Sequence, residues 1–458
     1  MSLKFGTDGV RGVANLDLTP EFAMELGAGV GAWIREKGWE PVVAIGADTR
    51  RSGTMLGMAF ASGLNSRGVS FYQLGVVPTG CVGWATKHTG CGMGAMISAS
   101  HNPAPDNGIK LFGPDGAKAP AEAEGFVIAH LGGIGERPTG AGIGTERVRD
   151  GLVEEYVEWV KAIVPERLDG MKIAVDAANG AAHTLGPRVL RELGAQVTLV
   201  GGEPDGDNIN AGFGATHPAT IQKLTQETSA DLGIAFDGDA DRAVFSDSEG
   251  RLVNGDRTMA AWSSHWSQTD RFEPRLIVGT VMTNTGFERA MLDLGVRIER
   301  VDVGDKHVSA KLRELHGKIG GEQSGHIVFT EHAPTGDGLV TALELLRVLR
   351  ISGKTMAEAY DCYEPWPQLL VNVQVNGAKE VAASEDIQAA VAGAREQLSD
   401  DGRINVRASG TQPMLRVMAE CKDRDTRDRA VQGIVDAVLS RHGGEIVGRV
   451  DLTHALGD

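Results

Sequence analysis

Residues 234–244 read IAFDGDADRAV, and within them Asp237, Asp239 and Asp241 alternate. In extended backbone, alternate side chains share a face, so three carboxylates crowd one small volume. Left uncompensated, such a cluster drives its own pKa values upward, and a hard divalent cation relieves the repulsion. An EF-hand loop does not account for the run: its sixth position would be Arg242 instead of glycine and its twelfth Ser248 instead of glutamate. A short loop with few ligands favours Mg²⁺, which keeps positions open for water or phosphate oxygens.

A second candidate is MISASHNPAPDNGIK, residues 96–110. An apolar run delivers the chain to Ser98 and Ser100, and then His101, Asn102 and Pro103 end regular structure. A buried strand opening into a polar loop is where α/β proteins present reactive groups. The residues alone do not choose between the two serines. In RASGTQPMLR, Arg407, Ser409, Thr411 and the backbone around Gly410, with Arg416 beyond, suit a phosphate gripped by guanidinium forks and hydroxyls. In GGEQSGH, Glu322, Ser324 and His326 stand among small residues and suit the hydroxyls of a sugar. Three tempting patterns fail. GAGVGA (27–32) lies inside a helical pattern opened by Thr19-Pro20-Glu21, GKT (353–355) has Val348 where a P-loop needs glycine, and no G-x-S-x-G occurs.

These loops need rigid elements behind them. Runs starting at Pro41, Lys172 and Arg275 share one plan: a β-branched strand, a polar loop, an amphipathic helix stopping near Gly68, Gly194 or Gly295, and another strand. Each is a βαβ unit, which implies parallel pairing with helices on the faces. After EPWPQ (364–368) the pattern changes to strand, helix, two strands, helix, an α+β segment. The expected architecture is α/β with four domains, 1–150, 151–253, 254–366 and 367–458, and a cleft where they meet. The Gly-rich stretch 131–150 and EPWPQ serve as linkers.

Composition narrows the function. The 458 residues carry a net charge of −16, against a nucleic-acid or anionic-membrane surface, so an anionic substrate needs a local basic site. The 62 glycines imply many tight turns. Four cysteines with no CxxC pair fit a reducing compartment and no thiolate metal site. The N-terminal MSLKFGTDGVRG has no apolar signal core, and no apolar stretch nears the ~20 residues of a membrane span, so a cytoplasmic protein is expected.

TDGVRG, SASHNPAPDNGIK, DGDADR, GGEQSGH, TGDG and RASGTQPMLR occur in the order seen in the α-D-phosphohexomutase superfamily, which the chain resembles over essentially its whole length. GEQSGH together with NINAGFGATHP is most similar to the phosphoglucosamine mutase branch. The resemblance implies four domains, three of one α/β topology plus a C-terminal α+β domain, around a central cleft. It implies that Ser100 carries the catalytic phosphoryl group, and that Asp237, Asp239 and Asp241 bind one Mg²⁺ together with the phosphoserine, with Arg242 beside them. Arg11 and Lys110 would lie at the transferring phosphate, with Lys110 or His326 as the proton acceptor. His101, Asn102, Glu322 and Ser324 would meet the sugar, and Arg407, Ser409, Gly410, Thr411 and Arg416 the far phosphate.

The implied reaction interconverts a 6-phosphate and a 1-phosphate of a hexosamine through a sugar 1,6-bisphosphate that is also the activator. The partner is then a small sugar phosphate, and the chain a monomer or homodimer. A phosphomannomutase or phosphoglucomutase of the same superfamily is the alternative. A non-catalytic sensor is disfavoured by the intact Ser100 and aspartates, and a phosphatase by a closed cleft. Two positions depart from the family pattern, Gln412 for the usual glutamate and PTGCVG from Pro78 for PTPA. Neither is expected to touch the phosphoryl chemistry.

Overall fold

A computed structural model of the protein describes residue 6 and residues 8–133, 137–409 and 413–456. Each of the three βαβ runs forms the parallel part of its own sheet. Val42–Ala47 lies between Ser70–Val76 and Met93–Ile97. Lys172–Asp176 lies between Gln196–Val200 and Leu232–Phe236, and Leu276–Thr280 between Arg297–Val301 and Ile319–Gly321.

The sheets are mixed where the βαβ pattern implied parallel pairing. In each, the third parallel strand turns back as a hairpin into an antiparallel one: Asp106–Phe112, Ala243–Asp247 and Ile327–Phe329. The connecting loops are those of Ser100, of the aspartate triplet and of GEQSGH, so the three candidate loops occupy the same place in three repeats of one topology. The hairpin form explains the short spacing between each loop and the apolar run after it, since an antiparallel return needs no crossover helix.

Helix Pro20–Lys37 begins where the sequence signals it: Thr19 Oγ1 accepts from Phe22 N at 3.3 Å, and Gly38 ends the helix at φ 65°. GAGVGA serves its packing against helix Ser52–Asn65, because a Cβ on Gly27 would stand 2.1 Å from the Phe60 carbonyl oxygen. A large apolar cluster runs without a break from Met96 and Phe112 through Ile173 and Phe236 to Phe287, Ile319 and Phe329, joining the first three sheets.

The last sheet is wholly antiparallel, in the order Gly402–Ala408, Met414–Cys421, Gln368–Gln374, Glu445–Asp451, and has its own apolar cluster. Its edge strand Glu445–Asp451 was absent from the sequence pattern: Gly448 interrupts it, and Ile446, Val447 and Val450 are all exposed, so no alternation marks a buried face. Arg403 clasps this domain to the third sheet, donating to the carbonyls of Val281 and Thr283 at 2.6 Å each and to Glu420. No helix among the described residues is long and apolar enough to cross a membrane.

Candidate active site

Register places the first group of residues. Strand Val10–Val13 pairs Arg11 with Gly108 on Asp106–Phe112, and that strand in turn pairs Lys110 with Met96 and Ile109 with Ile97. Arg11 and Lys110 therefore flank the loop that leaves Ile97 and carries Ser100. Ser100 is buried and holds φ 52°, a left-handed conformation uncommon for a non-glycine residue and frequent at functional loops. Its Oγ donates to Asp237 Oδ2 at 2.6 Å and lies 3.3 Å from His101 Nδ1. Ser98 is fully buried and committed elsewhere: its Oγ donates to Asp48 Oδ2 at 2.5 Å and accepts from Ser100 N at 2.8 Å. The geometry thus separates two serines that sequence alone left equal.

Asp237, Asp239 and Asp241 are buried and present oxygens within 4.8 Å of one another. Burial, then the charges of Asp241 and Asp239, push the Asp237 carboxyl up to about 8. Asp239 Oδ1 is buried with no hydrogen-bond partner among the described residues, and Asp241 Oδ1 faces only His326 Nδ1 at 3.5 Å. A buried, oxygen-only donor set with an orphaned oxygen fits a hard divalent cation.

Lys110 Nζ closes the cluster on one side, 2.7 Å from Asp239, 3.0 Å from Asp241 and 3.0 Å from Asp8. Burial works against its charge, yet these carboxylates hold its ammonium well above the ordinary lysine range. Arg11 donates to Asp8, and Lys118 joins Asp8 to Asp305 of the third module. His326 is buried with Nδ1 3.5 Å from Asp241 Oδ1 and Nε2 3.9 Å from Asp305. Burial lowers its pKa, but Asp241 outweighs this and the net shift is upward. His326 also bridges backbone to backbone with Arg242, docking the GEQSGH loop onto the aspartate loop.

Across the site, Arg407 and Arg416 stand directly opposite each other on paired strands. Like charges so placed repel, and burial together with Arg416 lowers the Arg407 pKa; Asp302 and Glu322 are its anionic neighbours. The Nε of each guanidinium is buried without a partner among the described residues. Two facing guanidiniums with unspent donors suit a phosphate. Ser409 N closes the hairpin on Met414 O at 2.8 Å, whereas Gly410, Thr411 and Gln412 lie outside the described residues.

Of the sugar candidates, Glu322 Oε1 accepts from Gly304 N at 2.9 Å and Ser324 is buried beside it. The Asn102 amide is turned into its own loop, donating to Asp106 at 2.8 Å. The departure in PTGCVG begins after Thr79, which PTPA shares, and Thr79 itself meets the triplet: its Oγ1 donates to Asp239 Oδ2 at 2.7 Å, and its N to the Asp239 carbonyl at 2.9 Å. Asp48, Arg50, Lys118 and Asn210 also border the site without standing in any of the candidate sets drawn from the sequence. Asp48 and Arg50 were findable as the polar exit of strand Val42–Ala47, and Asn210 within NINAGFGATHP. Lys118 had no signal, because its partners are remote in sequence.

Comparison with known proteins agrees with this architecture. Sequence models described as phosphoglucomutase/phosphomannomutase alpha/beta/alpha domains I, II and III match residues 2–135, 154–250 and 254–366, and the C-terminal domain matches 370–437. A phosphoglucosamine mutase of Paracoccus denitrificans is 45% identical over 440 residues, covering 95% of this chain and 98% of the relative. The fold is similar to a phosphoglucomutase/phosphomannomutase family protein of Burkholderia thailandensis, with TM-score 0.81, 24% identity and coverage of 96% and 98% of the two chains. It is also similar to an Aspergillus fumigatus N-acetylphosphoglucosamine mutase solved with GlcNAc-6P and magnesium, with TM-score 0.69, 19% identity and 96% coverage of each chain. Four matched domains in order, and near-full-length relatives, place the chain in the phosphoglucomutase/phosphomannomutase family.

Proposed function

We propose that the protein interconverts glucosamine 6-phosphate and glucosamine 1-phosphate, with Ser100 as the phosphoryl carrier. The observation that carries this is the Ser100 Oγ, set 2.6 Å from Asp237 within the three-carboxylate cluster. The near-full-length identity to a phosphoglucosamine mutase supports the choice of sugar. In the forward direction the Ser100 Oγ–P bond breaks as a bond forms from phosphorus to the sugar C1 hydroxyl oxygen. The hydroxyl proton leaves to a base and ends on Ser100 Oγ. The resulting 1,6-bisphosphate turns end for end, and its 6-phosphoryl group returns to Ser100 by the reverse sequence.

Mg²⁺ held by Asp237, Asp239 and Asp241 would supply neutralisation of charge on the transferring oxygens. Lys110 and Arg11 orient those oxygens. Lys110 and His326, which both border the aspartate cluster, are the candidates to take the proton, and His101 Nδ1 lies 3.3 Å from the Ser100 Oγ. Arg407 and Arg416 hold the phosphate that is not reacting, which explains why the site has two anion grips. That grip predicts movement of the last domain: saturating glucosamine 6-phosphate is expected to slow amide exchange in peptides covering Gly402–Ala408 and Met414–Cys421. Equal exchange with and without sugar phosphate would count against closure.

Sugar choice rests on Gln323, which the structure places behind the cleft. Its Nε2 donates to Asp256 Oδ2 at 3.0 Å and to Gln368 Oε1 at 3.2 Å, and only 2% of the residue is exposed. Gln323 therefore acts on the sugar by fixing Glu322, its neighbour in the chain. One hydrogen-bonding difference of about 1.5 kcal/mol corresponds to roughly tenfold in kcat/KM. At least tenfold preference for glucosamine phosphate over glucose or mannose phosphate is expected, partly eroded in Gln323→Met. The test is kcat/KM for the three sugar 1-phosphates under identical Mg²⁺ and bisphosphate. A preference for mannose or glucose phosphate would overturn the choice of sugar and leave the mutase chemistry standing.

A further inference from the structure

The carbonyl oxygen of Ser100 is held from two modules at once. Arg50 Nη2 reaches it at 2.9 Å from the first sheet, and Asn210 Nδ2 at 2.9 Å from the second. Both donors also take the Asn102 carbonyl, at 2.8 and 3.1 Å. Arg50 Nη1 holds the carbonyls of Pro103 and Asp106, and Nε holds Asp48 Oδ2 at 2.9 Å. The Arg50 side chain is fully buried, with its donors committed to the backbone of one loop and to the carboxylate that fixes Ser98. From below, Gly238 leaves no slack: a Cβ there would lie 2.4 Å from the same Ser100 oxygen.

We infer that Arg50 and Asn210 form a clamp that sets the direction of the Ser100 Oγ, making both residues positioning residues for phosphoryl transfer. The physical reason is the backbone of Ser100. At φ 52° a serine relaxes readily toward the β or right-handed regions, and either move swings Oγ away from Asp237. Fixing the carbonyl fixes the peptide plane that follows Ser100, while the bond from Ser100 N to Ser98 Oγ fixes the one that precedes it. With both planes held, Cβ has one direction. The Cα–Cβ direction is the same whether or not Oγ carries a phosphoryl group, because no clamp bond uses Oγ, and only χ1 is left for Asp237 to select. Asn210 belongs to the aspartate-loop module, so the nucleophile and the carboxylates are aligned only while the first two modules are docked.

The inference rests on Ser100 as the carrier, and its test separates the two claims. Asn210 itself sits at φ 60°, so the variant of choice is Asn210→Asp, which keeps the size and the left-handed tolerance and removes the donor. A displacement of the order of an ångström at a reacting atom costs about a hundredfold in rate. Asn210→Asp is expected to lower kcat by about tenfold to a hundredfold, with the KM for glucosamine 6-phosphate within about twofold and with a lower melting temperature, since its buried carboxylate faces two carbonyl oxygens; kcat is therefore read on protein shown to be folded at the assay temperature. Arg50→Lys, which keeps charge but cannot fork to four carbonyls, should lose at least as much kcat. Thr49→Val is the control, since Thr49 Oγ1 donates across the same junction to the Asn179 carbonyl at 2.5 Å without touching the Ser100 loop. Thr49→Val should keep kcat within about twofold.

Single-turnover transfer from the phosphorylated enzyme, followed by loss of label from protein, should slow in Asn210→Asp in step with kcat. Wild-type kcat in Asn210→Asp, or an equal loss in Thr49→Val, would overturn the clamp. A wild-type protein that transfers phosphoryl groups without labelling Ser100 would overturn the carrier instead.

Discussion

Ser100→Ala is expected to lower multiple-turnover activity by about 10⁴-fold or more, because the variant removes the atom proposed to carry the phosphoryl group. The fold should survive. Ser100 contributes one side-chain bond to Asp237 and one contact to His101, and the loop around it is held through backbone atoms by Arg50, Asn210 and Ser98. Intact-mass and peptide analysis of active wild-type enzyme should place one phosphate on the Ser100 peptide and none after substitution. Ser98 cannot stand in, since its Oγ is spent between Asp48 and the Ser100 amide in a site with no exposure. Full activity in Ser100→Ala with label on Ser98 would reverse the assignment of the two hydroxyls.

Asp239→Asn is expected to weaken Mg²⁺ binding and to lower kcat by about a hundredfold or more, equivalent to about 3 kcal/mol of lost charge stabilisation in the transition state. The substitution removes one negative charge from the cluster, and it also loosens Lys110, which sits 2.7 Å from Asp239, and Thr79, which donates to it. EDTA should stop the wild type and Mg²⁺ should restore it. Binding also has a proton signature. Asp237 with a pKa of about 8 is mostly protonated at pH 7 in the metal-free protein, and a cation must displace that proton. Affinity for Mg²⁺ should therefore rise as pH climbs from 6 toward 8, and calorimetry in two buffers of different ionisation enthalpy should register proton release. Activity indifferent to chelation would remove the cation from the mechanism.

What was legible in the sequence divides along a physical line. The βαβ runs were visible because hydrophobic periodicity and helix-stopping glycines are local, and so was the alternation of Asp237, Asp239 and Asp241. The hairpin return after each third strand was not, because strand direction is set by pairing partners instead of local pattern. Ser98 and Ser100 were indistinguishable as residues and are separated only by what each hydroxyl touches. The residue type of Gln323 leaves open whether its amide meets the sugar or arranges Glu322; the fold buries it in a polar layer with Asp256 and Gln368, between the third and last sheets. Arg50 and Asn210 sit in loops whose polar character is visible in the sequence, but their shared target, the Ser100 carbonyl, is brought to them only by the fold.

The Ser100 loop, the acidic triplet and the GEQSGH loop leave equivalent corners of three sheets. On the proposed reading, the choice of sugar and the phosphoryl chemistry therefore hang on separate corners, so a substitution at Glu322 or in the layer under Gln323 would shift substrate preference without dismantling the other two.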